Sequence, residues 1–174
     1  MKKVLSVLAI AALFVVSFSS CGGNEKTATE LLTQKNGWVL SAATSAPAYQ
    51  MLDGSFAGDL INDGYLYDFE AAYIIAFNEN GSEIVKPGKV VAPDDFDPEW
   101  CYTAETSLGN WAFDNAENPQ YITMQVPFFY DEAPEYCQIL SLTENELRIK
   151  CTINDDDNPA KQTCSFTLTY VPAK

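Results

Sequence analysis

The sequence predicts an all-β domain, an antiparallel up-and-down barrel of about eight strands preceded by a short N-terminal helix. Three observations carry this reading. Period-two alternation of apolar and polar residues runs through the C-terminal third of the chain. Turn chemistry, as at Asn80-Gly81 and Asn118-Pro119, recurs between short apolar runs. Beyond the leader, one segment carries a helix-start signature: Thr27-Ala28-Thr29-Glu30 is a capping-box pattern followed by Leu31 and Leu32.

Residues 1–20 stand apart from the fold. Met1-Lys2-Lys3 precedes an apolar run from Val4 to Phe18, and Ser19-Ser20-Cys21-Gly22-Gly23 follows. This is the layout of a secretory signal peptide. The run is shorter than the roughly 20 apolar residues of a membrane-spanning helix. Cys21 stands where a lipoprotein signal peptidase leaves a lipid-bearing N-terminus, so a lipid membrane is the expected partner, through an acyl anchor at Cys21. A plain secretory signal with a chance cysteine and a retained anchor are the alternatives, since Phe18 occupies a place where an aliphatic residue is usual. Gly22, not Asp, follows the cysteine and favours onward transport to the outer membrane, on its periplasmic or its cell-surface face. The expected organisation is a signal peptide over 1–20, a Gly-rich tether over 21–26 and one barrel domain over 27–174.

Composition narrows the function classes. Cleavage after residue 20 leaves 154 residues, enough for one domain with a substantial core. It removes Lys2 and Lys3, so 8 basic residues face 24 acidic ones and the formal charge moves from −14 to −16. Such a surface repels nucleic acid and anionic membrane. The chain has no histidine, which excludes Ser-His-Asp and Cys-His catalytic sets and histidine-ligated zinc. No nucleophile–base pair is visible, so the chain is not expected to be an enzyme, and no cofactor or metal is expected.

The helix is predicted over about 28–35, ending at Asn36-Gly37. Trp38–Ala42 reads as the first strand. Residues 44–71 hold Pro47, Gly54, Gly58, Gly64 and many aromatics, and read as long connections with one short strand. Strands follow at 72–77 and 82–86 around Asn80-Gly81, then at 101–106, 109–113 and 121–126, with an acidic loop over 87–99. The last three, 136–142, 146–153 and 163–171, are the clearest. Leu147, Ile149, Cys151 and Ile153 share one face, as do Cys164, Phe166, Leu168 and Tyr170.

Four cysteines remain after Cys21, an even count that favours disulfides in an oxidising compartment. Folding the last hairpin about Asp157-Asn158 sets Cys151 opposite Cys164, both inward, which predicts a Cys151–Cys164 bridge. Elimination leaves Cys101–Cys137.

A short helix leading into Gly37-Trp38 resembles the start of lipocalin-like (calycin-type) barrels, whose mark is a Gly-x-Trp on the first strand. Here Gly and Trp are adjacent, and a literal Gly-x-Trp falls later, at Gly109-Asn110-Trp111. The order Ile75-Ala76-Phe77-Asn78-Glu79-Asn80-Gly81, Gly109-Asn110-Trp111, then Ile139-Leu140-Ser141-Leu142-Thr143 is similar to small lipocalin-like lipoproteins of Gram-negative gut bacteria. The resemblance implies a lipocalin-like barrel with an open cup, closed at its floor by the first-strand Trp, and no settled activity.

Two carboxylate clusters, Asp94-Asp95-Phe96-Asp97 and Asp155-Asp156-Asp157-Asn158, lack the spaced ligand pattern of a calcium loop and read as solvated turns. With 24 acidic residues, some carboxylate pair always lies near another, so no glycosidase site is inferred. The aromatic residues offer the more specific candidates: Tyr49, Tyr65, Tyr67, Tyr73, Trp100 and Phe129, flat faces with polar tips or near a barrel rim. As a site, they suit a small apolar or amphipathic ligand or a glycan fragment. As structure, they are barrel lining. Two functions follow: a lipid-anchored binding module with a ligand in its cup, or a structural or protein-interaction lipoprotein whose barrel is filled by its own side chains.

Overall fold

The computed structural model describes residues 26–97, 101–128, 135–154 and 163–174. The elements are α1 (Ala28–Leu32), β1 (Trp38–Gln50), β2 (Phe56–Asp59), α2 (Asp68–Ala71), β3 (Ile74–Phe77), β4 (Ser82–Lys86), β5 (Thr106–Asn110), β6 (Ala112–Phe113), β7 (Tyr121–Met124), β8 (Glu135–Leu142), β9 (Leu147–Asn154) and β10 (Thr163–Pro172). The described strands form one antiparallel sheet in the order β5-β4-β3-β1-β10-β9-β8-β7-β6, with β2 added on β1. With β2 set aside on β1, successive strands follow one another around the sheet, and the first strand pairs with the last. This is an up-and-down meander rolled into a nearly closed barrel, an all-β, lipocalin-like architecture.

Closure depends on one course of chain. β5 pairs with β4 and β6 pairs with β7, and only Trp111 separates the two. They are halves of a single strand that changes partner at Trp111. The Trp111 backbone N–H donates to the Gly81 carbonyl at 2.8 Å and its indole N–H to the Asn78 carbonyl at 3.0 Å. A bulge lies just before the break, where Glu83 pairs with Gly109 and Ile84 with Ser107, leaving Leu108 extra, and Gly109 takes φ +138° there, a conformation L side chains rarely adopt.

The floor is built by α1 and Trp38. The capping box forms as the sequence suggests: the Glu30 N–H donates to Thr27 Oγ1, and the Thr27 N–H to the Glu30 carboxylate. The helix is shorter than predicted. It stops at Leu32, where the Trp38 indole N–H takes the Leu32 carbonyl at 2.8 Å and the Thr33 hydroxyl takes that of Thr29. Gly37 then turns the chain with φ +71°, and a Cβ there would lie 2.6 Å from the Ile75 carbonyl oxygen.

β1 is much longer than the predicted 38–42. Ser41 forms a bulge against β10, which moves the inward phase from Trp38 and Leu40 to Ala43 and Ser45, and pairing with β10 continues as far as Ala46. The stretch 44–71, read as mostly connection, thus holds most of β1, all of β2 and α2. Residues 101–105 are not in a strand, and β5 begins at Thr106 instead.

The disulfide pairing differs from the prediction. Cys137 bonds Cys151, with Cα atoms 4.5 Å apart, and Cys101 and Cys164 are free. The β8–β9 pairing sets Gln138 opposite Lys150, so the residues just outside it, Cys137 and Cys151, face each other. In the β9–β10 pairing Cys151 opposes Phe166, and Cys164 opposes Ile153. The expected Cys151–Cys164 register was two residues off. A slip of two keeps every side chain on its face, so alternation cannot detect it. Cys101–Cys137 falls with it.

Candidate functional site

The inward faces meet in one packed core. Trp38, Leu168 and Tyr170, with Ile122, Met124, Ile149 and Phe166, are fully or almost fully buried. They come from β1, β7, β9 and β10, and all belong to one continuous buried cluster.

The aromatic candidates divide into two groups. Tyr49 and Tyr65 meet edge to face at 5.0 Å between ring centroids, and each contacts Phe166 at 5.8 Å. Both are half-buried and pack on the main core. Tyr73 is buried in a second, smaller cluster with Phe69 and Val85. Its hydroxyl accepts the Tyr102 N–H at 2.9 Å, and burial pushes its pKa up to about 12. Tyr67 is 56% exposed and stacks on Phe69 at 5.5 Å, with Phe96 edge-on at 5.1 Å. The structure therefore joins Tyr49 with Tyr65 and Tyr67 with Tyr73 through Phe69, as two clusters. Trp100 and Phe129 lie outside the described residues, as do Asp155–Asn158 and Cys21. Asp94, Asp95 and Asp97 are exposed.

Glu83 is a polar residue that the sequence reading did not single out. It lies on β4 opposite Phe77, shares the inward face with Val85, and is 0% exposed. One carboxylate oxygen accepts the Gln125 N–H at 2.9 Å, linking β4 to the residue that follows β7. The other has no hydrogen-bond partner, and neither has the buried Tyr170 hydroxyl. Burial pushes the Glu83 pKa up to about 8, against the smaller opposing effect of the Gln125 hydrogen bond. Its charge in turn holds the Tyr170 and Tyr102 hydroxyls above their usual range, second to burial in both. The arrangement stores a protonated carboxyl inside an apolar barrel.

A groove of about 250 Å³ lies outside the barrel. Its floor is Val39, Ile74 and Val171, and its wall is made by Ala72 and Gly88. It is aliphatic and lies on the opposite side of the sheet from the cup that the sequence suggested. Comparison of the chain with family models, curated proteins and solved structures finds no match.

Proposed function

We propose that the chain is an exported lipoprotein of the lipocalin-like kind, anchored through Cys21, whose barrel serves as a protein-interaction module and carries no ligand in its cup. The chief support is the packed interior: the inward side chains of β1, β7, β9 and β10 are buried in one continuous cluster. Tyr49 and Tyr65 fit this reading as parts of the packing on Phe166. Leu52, 89% exposed, and Phe56 stand out at the β1–β2 hairpin, where a partner would find apolar side chains within reach.

Tyr49→Ala and Tyr65→Ala test the reading. Each is expected to lower unfolding free energy by about 2–3 kcal/mol, because a half-buried ring leaves a partial cavity. Chemical denaturation measures this. A cup lined by these rings gives the reverse: little stability loss, and weakened binding of an apolar ligand or glycan. The anchor is tested separately. Cys21→Ser should leave the protein soluble after a carbonate wash, and membrane retention of that variant would contradict lipidation.

A further inference from the structure

We propose that the outer groove across β3, β1 and β10 binds a small amphipathic carboxylate, an unbranched acyl chain lying on Val39, Ile74 and Val171 with its head group between Lys89 and Lys174. The floor is a product of register. Val39 pairs with Val171 on one side and with Ile74 on the other, so three aliphatic side chains stand in a row on the outer face. That row interrupts a polar surface. The outward residues of β10 before it are Thr163, Ser165, Thr167 and Thr169, and Val171 breaks the series. The nearest outward positions of β1 beyond Val39 are Ser41, Ala42 and Thr44.

The wall makes this a groove instead of a flat patch. Gly88 lies so close to Ala72 that a Cβ on it would sit 1.8 Å from the Ala72 carbonyl oxygen. Only glycine permits that approach, and it brings Lys89 to the edge of the groove.

Charge selects the guest. The protein carries 24 acidic residues against 10 basic ones, yet the groove is lined by two lysines and no Asp or Glu. Among the described residues the ion pairs are Lys26–Glu144 and Lys86–Glu105, and neither Lys89 nor Lys174 takes part. An apolar floor with two lysines in its lining and no hydroxyl or amide side chain suits an acyl carboxylate and offers nothing to the hydroxyls of a sugar. The volume is below the range of drug-sized pockets, roughly 300–1,000 Å³, which suits a short or medium chain.

Octanoate is the probe, titrated as a monomer into the methyl-labelled protein and followed by NMR. Saturable shifts confined to the methyls of Val39, Ile74 and Val171 are expected. Octyltrimethylammonium, with the same tail and the opposite charge, should leave them unmoved. Lys89→Glu, at an exposed position, should weaken octanoate binding by about tenfold or more. Val171→Thr, which continues the Thr series of β10 at similar volume, should abolish it while the melting curve stays close to the parent's. Equal response to the cationic probe, shifts at interior methyls, or response only to phosphatidylglycerol vesicles would overturn the proposal.

Discussion

Trp38→Ala is expected to cost about 4–5 kcal/mol of unfolding free energy, the largest single-residue effect in this fold. Two losses combine. The indole is 0% exposed and fills the barrel floor beneath α1, so truncation removes a fully buried aromatic and leaves a cavity. The indole N–H also takes the Leu32 carbonyl at the end of α1, and without it that buried acceptor is orphaned. Trp38→Phe separates the terms: it keeps most of the ring and loses the hydrogen bond, with an expected cost of about 1–2 kcal/mol. Urea denaturation of both variants measures the two contributions. A loss below about 1 kcal/mol for Trp38→Ala would mean that α1 does not close the floor.

Stability should fall as pH rises from about 5 to 9, and Glu83→Gln should remove most of that fall. The folded pKa of Glu83 is about 8 against an ordinary value of 4.5. A carboxyl with a raised folded pKa holds its proton more tightly in the native state. Its stabilisation is therefore full below pH 4.5 and is lost progressively up to and through pH 8. The total is about 3–5 kcal/mol, since each pKa unit corresponds to about 1.4 kcal/mol. The amide of Glu83→Gln keeps an oxygen for the Gln125 N–H and has nothing to ionise, so the variant should exceed the parent in stability at pH 9. Asp53, Asp59 and Asp114 act oppositely. Hydrogen bonds hold their pKa values low, so their stabilisation is lost as pH falls into the acid range, outside the Glu83 window. Parallel pH–stability curves for parent and variant would place the Glu83 carboxyl in water.

Much of the fold was legible because alternation is a local signal. The strands β8, β9 and β10 match the sequence reading to within a residue at most ends, and the Asn80-Gly81 hairpin lies where its turn residues put it. The long β1 was not legible. Its bulge at Ser41 shifts the alternation, and Pro47 marks the place where pairing passes from β10, which reaches Ala46, to β2, which takes Tyr49 and Gln50. The disulfide was missed because face and register are different facts. Parity placed Cys151 and Cys164 inward, but only the β8–β9 pairing decides that Cys151 meets Cys137. Glu83 could have been found. Ser82-Glu83-Ile84-Val85-Lys86 alternates ambiguously alone, but pairing across Asn80-Gly81 sets Glu83 opposite Phe77, and Phe77 faces the core. The aromatic candidates were recognised as a group by composition, which cannot say whether a ring meets a ligand or another ring.

That last distinction is the central claim, that the barrel is filled by its own side chains and acts through its surface. Native mass spectrometry of the protein isolated from its own host tests it most directly. The expected result is the mass of the lipidated chain with no stoichiometric small molecule whose retention depends on Tyr49 or Tyr65; an acyl carboxylate held in the outer groove would be unaffected by Tyr65→Ala. A stoichiometric apolar or glycan adduct that survives in the parent and disappears with Tyr49→Ala or Tyr65→Ala would contradict the account and restore the cup as the binding site.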